Sequence, residues 1–333
     1  MIRTIAAALA LLIVMGLCSF VGPSHLSLRR VLEGPGDVVA PNPDYEIFVR
    51  VRLARIVLAA VVGAVLASAG VTLQALLRNP LADPYILGIS SGAGLGAMIA
   101  VICGFSWTLW GRSPIAVFAF LGALGTVWLV WSIGRVTGRF HVTGLLLAGV
   151  VVNAFFSAVI MFLISIAKSG QFHATVFWLM GNISEEDPFT LWVGGGCAVA
   201  GIVGLFFLSP RLNAISLGAT DAKTLGVDVG KTQLAAFALA AFVTAIAVGL
   251  SGLVGFVGLI VPHAVRLVFG ADHRQLLPLS SLIGAVFLVV ADTVARVVVA
   301  PAQMPVGIVT ALVGGPFFLV LLVRFNRKVS WFR

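Results

Sequence analysis

Ten apolar runs, at residues 4–22, 53–77, 85–105, 114–134, 143–167, 190–209, 233–250, 253–269, 277–299 and 305–323, constrain this chain more than any other feature. A helix crossing a bilayer needs about 20 predominantly apolar residues, and without water it must satisfy its backbone hydrogen bonds internally. The run 253–269 is short for a span and is read as oblique. Hydrophobic residues make up 60% of the 333 and charged ones 10%, whereas soluble domains carry roughly 25% charged residues. The expectation is an all-α integral membrane protein of about ten transmembrane helices. Residues 1–333 form a single transmembrane domain with no room for a soluble one.

The net charge of +9 would suggest a nucleic-acid partner in a soluble protein. Here it is read as the cytoplasmic Lys/Arg excess of membrane proteins, with no nucleic acid involved. With the N-terminus inside, Arg3, Arg78, Arg135, Arg139, Arg211, Lys223, Lys231, Arg266, Arg274 and the tail from Arg324 to Arg333 fall on the cytoplasmic side. Both termini are then cytoplasmic, which an even number of spans satisfies. The run after Arg3 lacks a small-x-small cleavage site and is read as the first span rather than a signal peptide. Cys18, Cys103 and Cys197 stand singly in apolar runs and are read as small buried hydrophobes.

Some charges break the pattern. Arg50, Arg52 and Arg55 crowd the outer start of the second span, against both the inside bias and the positive end of the helix dipole. Arg52 and Arg55, three apart, share one helical face. Snorkelling to lipid phosphates is one account, and an acidic external partner is the other. Asp292 is the one carboxylate well inside a span, and Arg296 follows one turn later, as in a structural ion pair. A secondary transporter driven by protons or sodium would need intramembrane ion sites, for which Asp292 is the sole candidate. A channel would need a filter motif that is missing.

Glycines mark packing and breaks. Gly92 and Gly96 form a small-xxx-small pair. Gly249, Gly252, Gly255 and Gly258, with Pro262 beyond, predict a tight turn and a broken helix. The stretches Val62–Pro80 and Val243–Pro262 echo one another five spans apart, as an inverted internal repeat would.

No enzyme motif appears. Gly226-Val-Asp-Val-Gly230-Lys231-Thr232 is one residue short of the phosphate-loop spacing and precedes an apolar span. No catalytic residue and no metal site is assigned, and His263 is read as a satisfied helix-end histidine. The connection at about 210–230 carries two apolar sets, Leu212, Ile215 and Leu217, then Ala219, Ala222 and Leu225, with Gly218 and Gly226 as stops. Short helices forming a docking surface are expected there.

An ordered series of motifs then resembles the iron-chelate/haem/vitamin B12 family of ABC importer permeases, the FecCD type. The series runs from Arg52-Leu-Ala-Arg55, where alanine stands for the family's proline, through Gly70-Val-Thr-Leu-Gln74, Arg78-Asn-Pro-Leu-Ala-Asp-Pro84 and Leu87-Gly-Ile-Ser-Ser-Gly-Ala93. It continues with Leu145-Leu-Leu-Ala-Gly-Val150, Trp178-Leu-Met-Gly181, Leu217-Gly218, Leu225-Gly-Val227 and Gly255-Phe-Val-Gly-Leu-Ile-Val-Pro-His263 with Arg266. Asp292 with Arg296, Pro305-Val-Gly-Ile308 and Gly314-Gly-Pro-Phe317 close it. The usual acidic residue two before Pro305 is Gln303 here.

The resemblance implies a type II importer of the bacterial inner membrane working by alternating access. Two copies would form a homodimer in lipid, two ATPase subunits would bind ATP and magnesium, and an outer substrate-binding protein would deliver cargo. This chain itself would bind no cofactor. By position, Arg52, Arg55 and Arg296 match binding-protein docking residues. Leu217, Gly218, Asp221, Ala222, Leu225 and Gly226 match the coupling element, and Asn79, Leu81, Val142 and Thr143 the inner gate. Pro262, His263, Arg266, Asp292, Pro305 and Gly307 match structural motif positions. An iron chelate (siderophore or haem) ranks first as cargo and cobalamin second; His173 and Lys168 in an outer loop could meet an anionic chelate.

Overall fold

The computed structural model describes residues 2–24, 26–36, 42–105, 114–136, 142–183 and 188–329. Every regular element among them is a helix. In chain order the α-helices are α1 (Ile2–Phe20), α2 (Leu28–Leu32), α3 (Pro43–Glu46), α4 (Ala54–Leu76), α5 (Ile89–Ile102), α6 (Pro114–Val136) and α7 (Val142–Ser165). They continue with α8 (Ser169–Leu179), α9 (Pro188–Leu217), α10 (Ala219–Thr224), α11 (Val229–Ser251), α12 (Val257–Phe269), α13 (His273–Val297) and α14 (Val306–Val329). Each of the ten apolar runs is a helix. Seven are long and apolar enough to span a bilayer, and α5, α12 and α14 carry shorter apolar stretches.

Helix α4 is the axis of the bundle. It is buried along most of its length and packs on α9, α11, α12 and α13. Lipid tails are as apolar as leucine, so helices in a bilayer associate through close backbone approach and interhelical hydrogen bonds. Both occur here. A Cβ added to Gly63 would stand 2.2 Å from the carbonyl oxygen of Gly284 on α13, and one on Gly70 only 1.9 Å from that of Gly258 on α12. Ser68 and Ser281 hydroxyls meet at 2.6 Å across the α4–α13 seam. The expected Gly92–Gly96 seam is also present, against Gly122, Thr126 and the Phe118 carbonyl of α6.

The predicted break falls between α11 and α12. Gly252 has φ +64°, and Phe256 takes the left-handed region at φ +69° without being glycine, an uncommon conformation for a bulky residue. Three motif segments meet at this break. Asn182 N donates to Ser251 O (2.8 Å), and Gly307 N donates to Gly181 O (3.3 Å). Val254 N donates to the Tyr85 hydroxyl (3.0 Å). A Cβ on Gly307 would lie 2.1 Å from the Met180 carbonyl oxygen, so only glycine fits. Pro262, inside α12, lacks the N–H that would bond to Gly258 O; the Gln74 amide of α4 donates to that carbonyl instead, at 3.2 Å.

The internal echo extends to packing. Helices α4 and α11 pack on each other, and their partners exchange: α4 packs on α12 and α13 where α11 packs on α5 and α6. The pairs α12–α13 and α12–α14 likewise match α5–α6 and α5–α7. Helices α1 and α9 depart from the pattern, α1 packing on α13 and α9 on α4 and α11.

Several expectations need correction. The sixth run does not stop at residue 209. Helix α9 continues through Pro210 to Leu217, so Leu212 and Ile215 are its buried last turns and α10 alone is the short helix. The second span begins earlier than residue 53, as α3 runs through a π-helical stretch over Ile47–Leu53 into α4. Lys168 and His173 are not in a loop but at the N-cap and within α8. Cys103 is exposed, and Cys18 and Cys197 are half-buried. His263 is not satisfied, because its Nδ1 is buried without a hydrogen-bond partner.

Candidate functional sites

One site lies where α4 begins and α13 ends. Arg55 Nε donates to both carboxylate oxygens of Asp292 (3.0 and 3.1 Å), and its Nη2 donates to Oδ1 at 2.9 Å. Arg55 Nη1 donates to Gln303 Oε1 at 3.0 Å. The expected Asp292–Arg296 pair is present, with Arg296 Nε 3.1 Å from Oδ2 but not aligned for a hydrogen bond. Arg296 Nη2 donates to Thr293 Oγ1 at 3.0 Å.

Arg52 does something the sequence did not announce. Its Nη1 donates to the carbonyls of Ser19 (3.2 Å) and Phe20 (3.0 Å), the free C-terminal end of α1, where a helix has orphan acceptors and negative dipole charge. Its Nη2 donates to the Ser24 carbonyl and to Ser24 Oγ (3.1 Å). No residue type marks a backbone carbonyl as a ligand, so no sequence signal could have found this contact. Arg50 instead pairs at the surface with Glu46 (2.6 Å).

Arg52, Arg55 and Arg296 are at most 5% exposed, yet all three line a cavity of about 380 Å³ with Ser24 and Gln303. Among the described residues three guanidiniums face one carboxylate, because Gln303 brings no charge. The described residues of the cleft thus carry two positive charges in excess, and an anionic side chain entering it would find donors already in place.

A second site lies at the opposite end of α4. Turn residue Arg78 has φ +47°. Asn79 Oδ1 accepts from Leu81 N (2.9 Å) in an Asx turn, and Asp83 Oδ1 accepts from Tyr85 N (2.8 Å). Asp83 is buried between the two spans, and desolvation pushes its carboxyl up to about 6. The gate positions Asn79 and Leu81 thus share one turn; Val142 and Thr143 open α7, and their side chains lie outside the described residues.

Helix α10 stands beside that turn. Ala222 is fully buried against Ala214, Ile215 and Val229, whereas Leu217 and Leu225 are about two-thirds exposed on either side of it. Gly218 and Gly226 turn the chain with positive φ. Asp228 caps α11, and the Lys231 N–H (3.0 Å) and its ammonium hold the carboxylate below its usual range. Two exposed leucines flanking a short, firmly seated helix form an apolar knob.

Pro262, His263 and Arg266 lie together on α12, and Gly307 meets the α11–α12 break at the Leu253 carbonyl while Pro305 precedes the first turn of α14. Among the described residues, no group of three His, Cys, Asp or Glu could hold a metal ion.

The fold is that of an integral membrane permease of ABC importer type. A solved structure of an inward-facing metal-chelate type ABC transporter superposes with a TM-score of 0.83 at 33% identity, covering 96% of this chain and 98% of that one. The family model of the FecCD transport family matches residues 8–324, and the chain belongs to that family. It is 39% identical over 97% of its length to the hemin transport system permease of Yersinia pestis, covering 96% of that protein. It is 46% identical over 82% of its length to the cobalamin import system permease of Halobacterium salinarum, covering 72% of that protein.

Proposed function

We propose that this chain is the membrane subunit of an ATP-driven importer for an iron chelate, siderophore or haem, in the bacterial inner membrane. Two copies enclose the path, a substrate-binding protein docks outside, and two ATPase subunits dock on α10 inside. The chain performs no chemistry; ATP and magnesium belong to the ATPase subunits.

The observation that carries this reading is the placement of two unlike docking features at opposite ends of one helix. Arg55 opens α4 and Gln74 lies near its end, so at about 1.5 Å rise per residue they stand roughly 30 Å apart, the thickness of the hydrocarbon core. The cationic cleft is at one end and the leucine knob at the other. A binding protein presenting carboxylates would engage Arg52, Arg55 and Arg296, and α10 would pass ATPase motion to α9, α11 and the Asn79–Leu81 turn. Net positive charge inside places the α10 end in the cytoplasm.

The Halobacterium relative's name favours cobalamin as a second reading of the cargo. An ion-coupled secondary transporter is disfavoured because Asp292 is held by two arginines. The test is uptake into vesicles containing the reconstituted complex. Transport that requires ATP and both partner proteins, and persists when ion gradients are collapsed, supports the importer; gradient-driven uptake by this chain alone refutes it. Competition between labelled ferric siderophore, haem and cobalamin ranks the cargo.

A further inference from the structure

Beside α10 the structure holds a larger cavity, of about 640 Å³, and the knob residues Leu217 and Leu225 form one edge of it. Its walls come from the end of α4, the last turn of α9 and the α12–α13 corner, and three of its lining residues are Arg78, Arg266 and Arg274. None of these guanidiniums lies within 4 Å of a carboxylate among the described residues. The single acid on the wall, Asp272, is already committed. Its Oδ1 accepts from Asn213 Nδ2 (2.7 Å) and Arg274 N (3.0 Å).

The same wall holds two buried polar atoms without partners, Gln74 Oε1 and His273 Nε2; both side chains are more than nine-tenths buried. Asn213 Oδ1 is fixed as an acceptor by its own amide's bond to Asp272, so His273 Nδ1, 2.7 Å away, is the donor. In the neutral ring this leaves Nε2 as an acceptor. The cavity thus offers three unused guanidiniums beside two unused buried acceptors. A buried polar group left unpaired is destabilising, so an occupant that supplies donors gains two further contacts here.

We infer that this groove receives an acidic peptide segment of the ATPase subunit, with a carboxylate among Arg78, Arg266 and Arg274 and backbone or side-chain N–H groups directed at Gln74 and His273. A peptide bearing Asp or Glu supplies both kinds of group at once, which fits the walls better than an anion that only accepts. The inference rests on the reading of α10 as the ATPase contact and adds a second, charge-selective contact next to it. Arg78, beside Gly218 where α10 begins, would connect the docked segment to the Asn79–Leu81 turn.

The experiment uses the permease–ATPase complex in nanodiscs. Arg274→Lys, treated with a carbodiimide, should form a zero-length cross-link to an Asp or Glu of the ATPase, located by mass spectrometry. Arg266→Gln with Arg274→Glu should weaken ATPase binding at least tenfold and flatten its salt dependence, while a lysine at the cross-linked ATPase position restores affinity to the charge-reversed permease. Absence of any ATPase cross-link, or unchanged binding by the double variant, overturns the proposal. So does a binding loss that appears only in anionic-lipid nanodiscs and not in phosphatidylcholine, since the groove would then be a lipid site. Leu217→Ser with Leu225→Ser separates the two readings. If those variants lose the ATPase and the arginine variants keep it, the knob stands and the groove fails; if both sets keep it, the α10 reading fails as well.

Discussion

Arg55 and Asp292 stand 237 positions apart in sequence and meet in a two-pronged ion pair that ties α4 to α13. Both side chains are almost fully buried. A buried pair gains little over a well-packed apolar pair, but breaking it strands a charge. Asp292 is shared with Arg296, so its loss strands two.

Asp292→Asn should therefore destabilise the protein by about 3–5 kcal/mol, read as a lowered midpoint of thermal unfolding in detergent. The Arg55→Met, Asp292→Leu double variant should recover part of the loss. A single-variant effect below about 1 kcal/mol would show that the pair is solvated in lipid.

Gln303→Glu adds a carboxylate beside Arg55 and lowers the charge of the cleft by one. The variant should be more thermostable, and its affinity for the substrate-binding protein should fall and become less salt-sensitive. Surface plasmon resonance on nanodiscs reads both.

Arg52→Ala removes the donors at the end of α1. Hydrogen bonds to charged groups contribute about 1.5–3 kcal/mol each, so α1 should fray. Amide exchange near Ser19 and Phe20 should rise while exchange in α4 stays slow. Arg52→Glu with Arg55→Glu should abolish binding-protein docking, and because a carboxylate at position 55 would face buried Asp292 it should also lower the thermal midpoint. Unchanged uptake would remove the docking assignment.

Gly70→Ala places a methyl group against the Gly258 backbone. Overpacking of this kind costs about 1–3 kcal/mol, and here a rigid carbonyl must move. Gly255→Ala, with open space around its Cβ, is the matched control and should be neutral.

Asp83 supplies a pH dependence. Its folded-state pKa, raised to about 6 by burial, lies above the 3.8 of an ordinary aspartate, so folding favours the protonated form. Its contribution is fully present below about pH 4 and is lost as pH rises through about 6. Asp83→Asn, which can still accept from Tyr85 N, should remove that slope from a stability–pH curve measured between pH 4 and 7.

The apolar runs determined the all-helical membrane fold, because a bilayer leaves the backbone no alternative to internal hydrogen bonding. Local patterns also carried the Gly252 break, the Gly92–Gly96 seam and the Asp292–Arg296 pair, each set by neighbours within a turn or two. The continuation of α9 through Pro210 was not legible. A proline and a polar stretch read as a helix end unless tertiary contacts hold the last two turns, as they do through buried Leu212 and Ile215. Nor could sequence alone pair Arg55 with Asp292, seat Arg52 on the carbonyls of α1, or bring Gly181, Gly252 and Gly307 to one junction. Those contacts join segments far apart in the chain, and two of them use backbone atoms that every residue possesses. Residue types named the charges; only the packed helices decided which of them face a partner inside the protein and which are left to face one outside it.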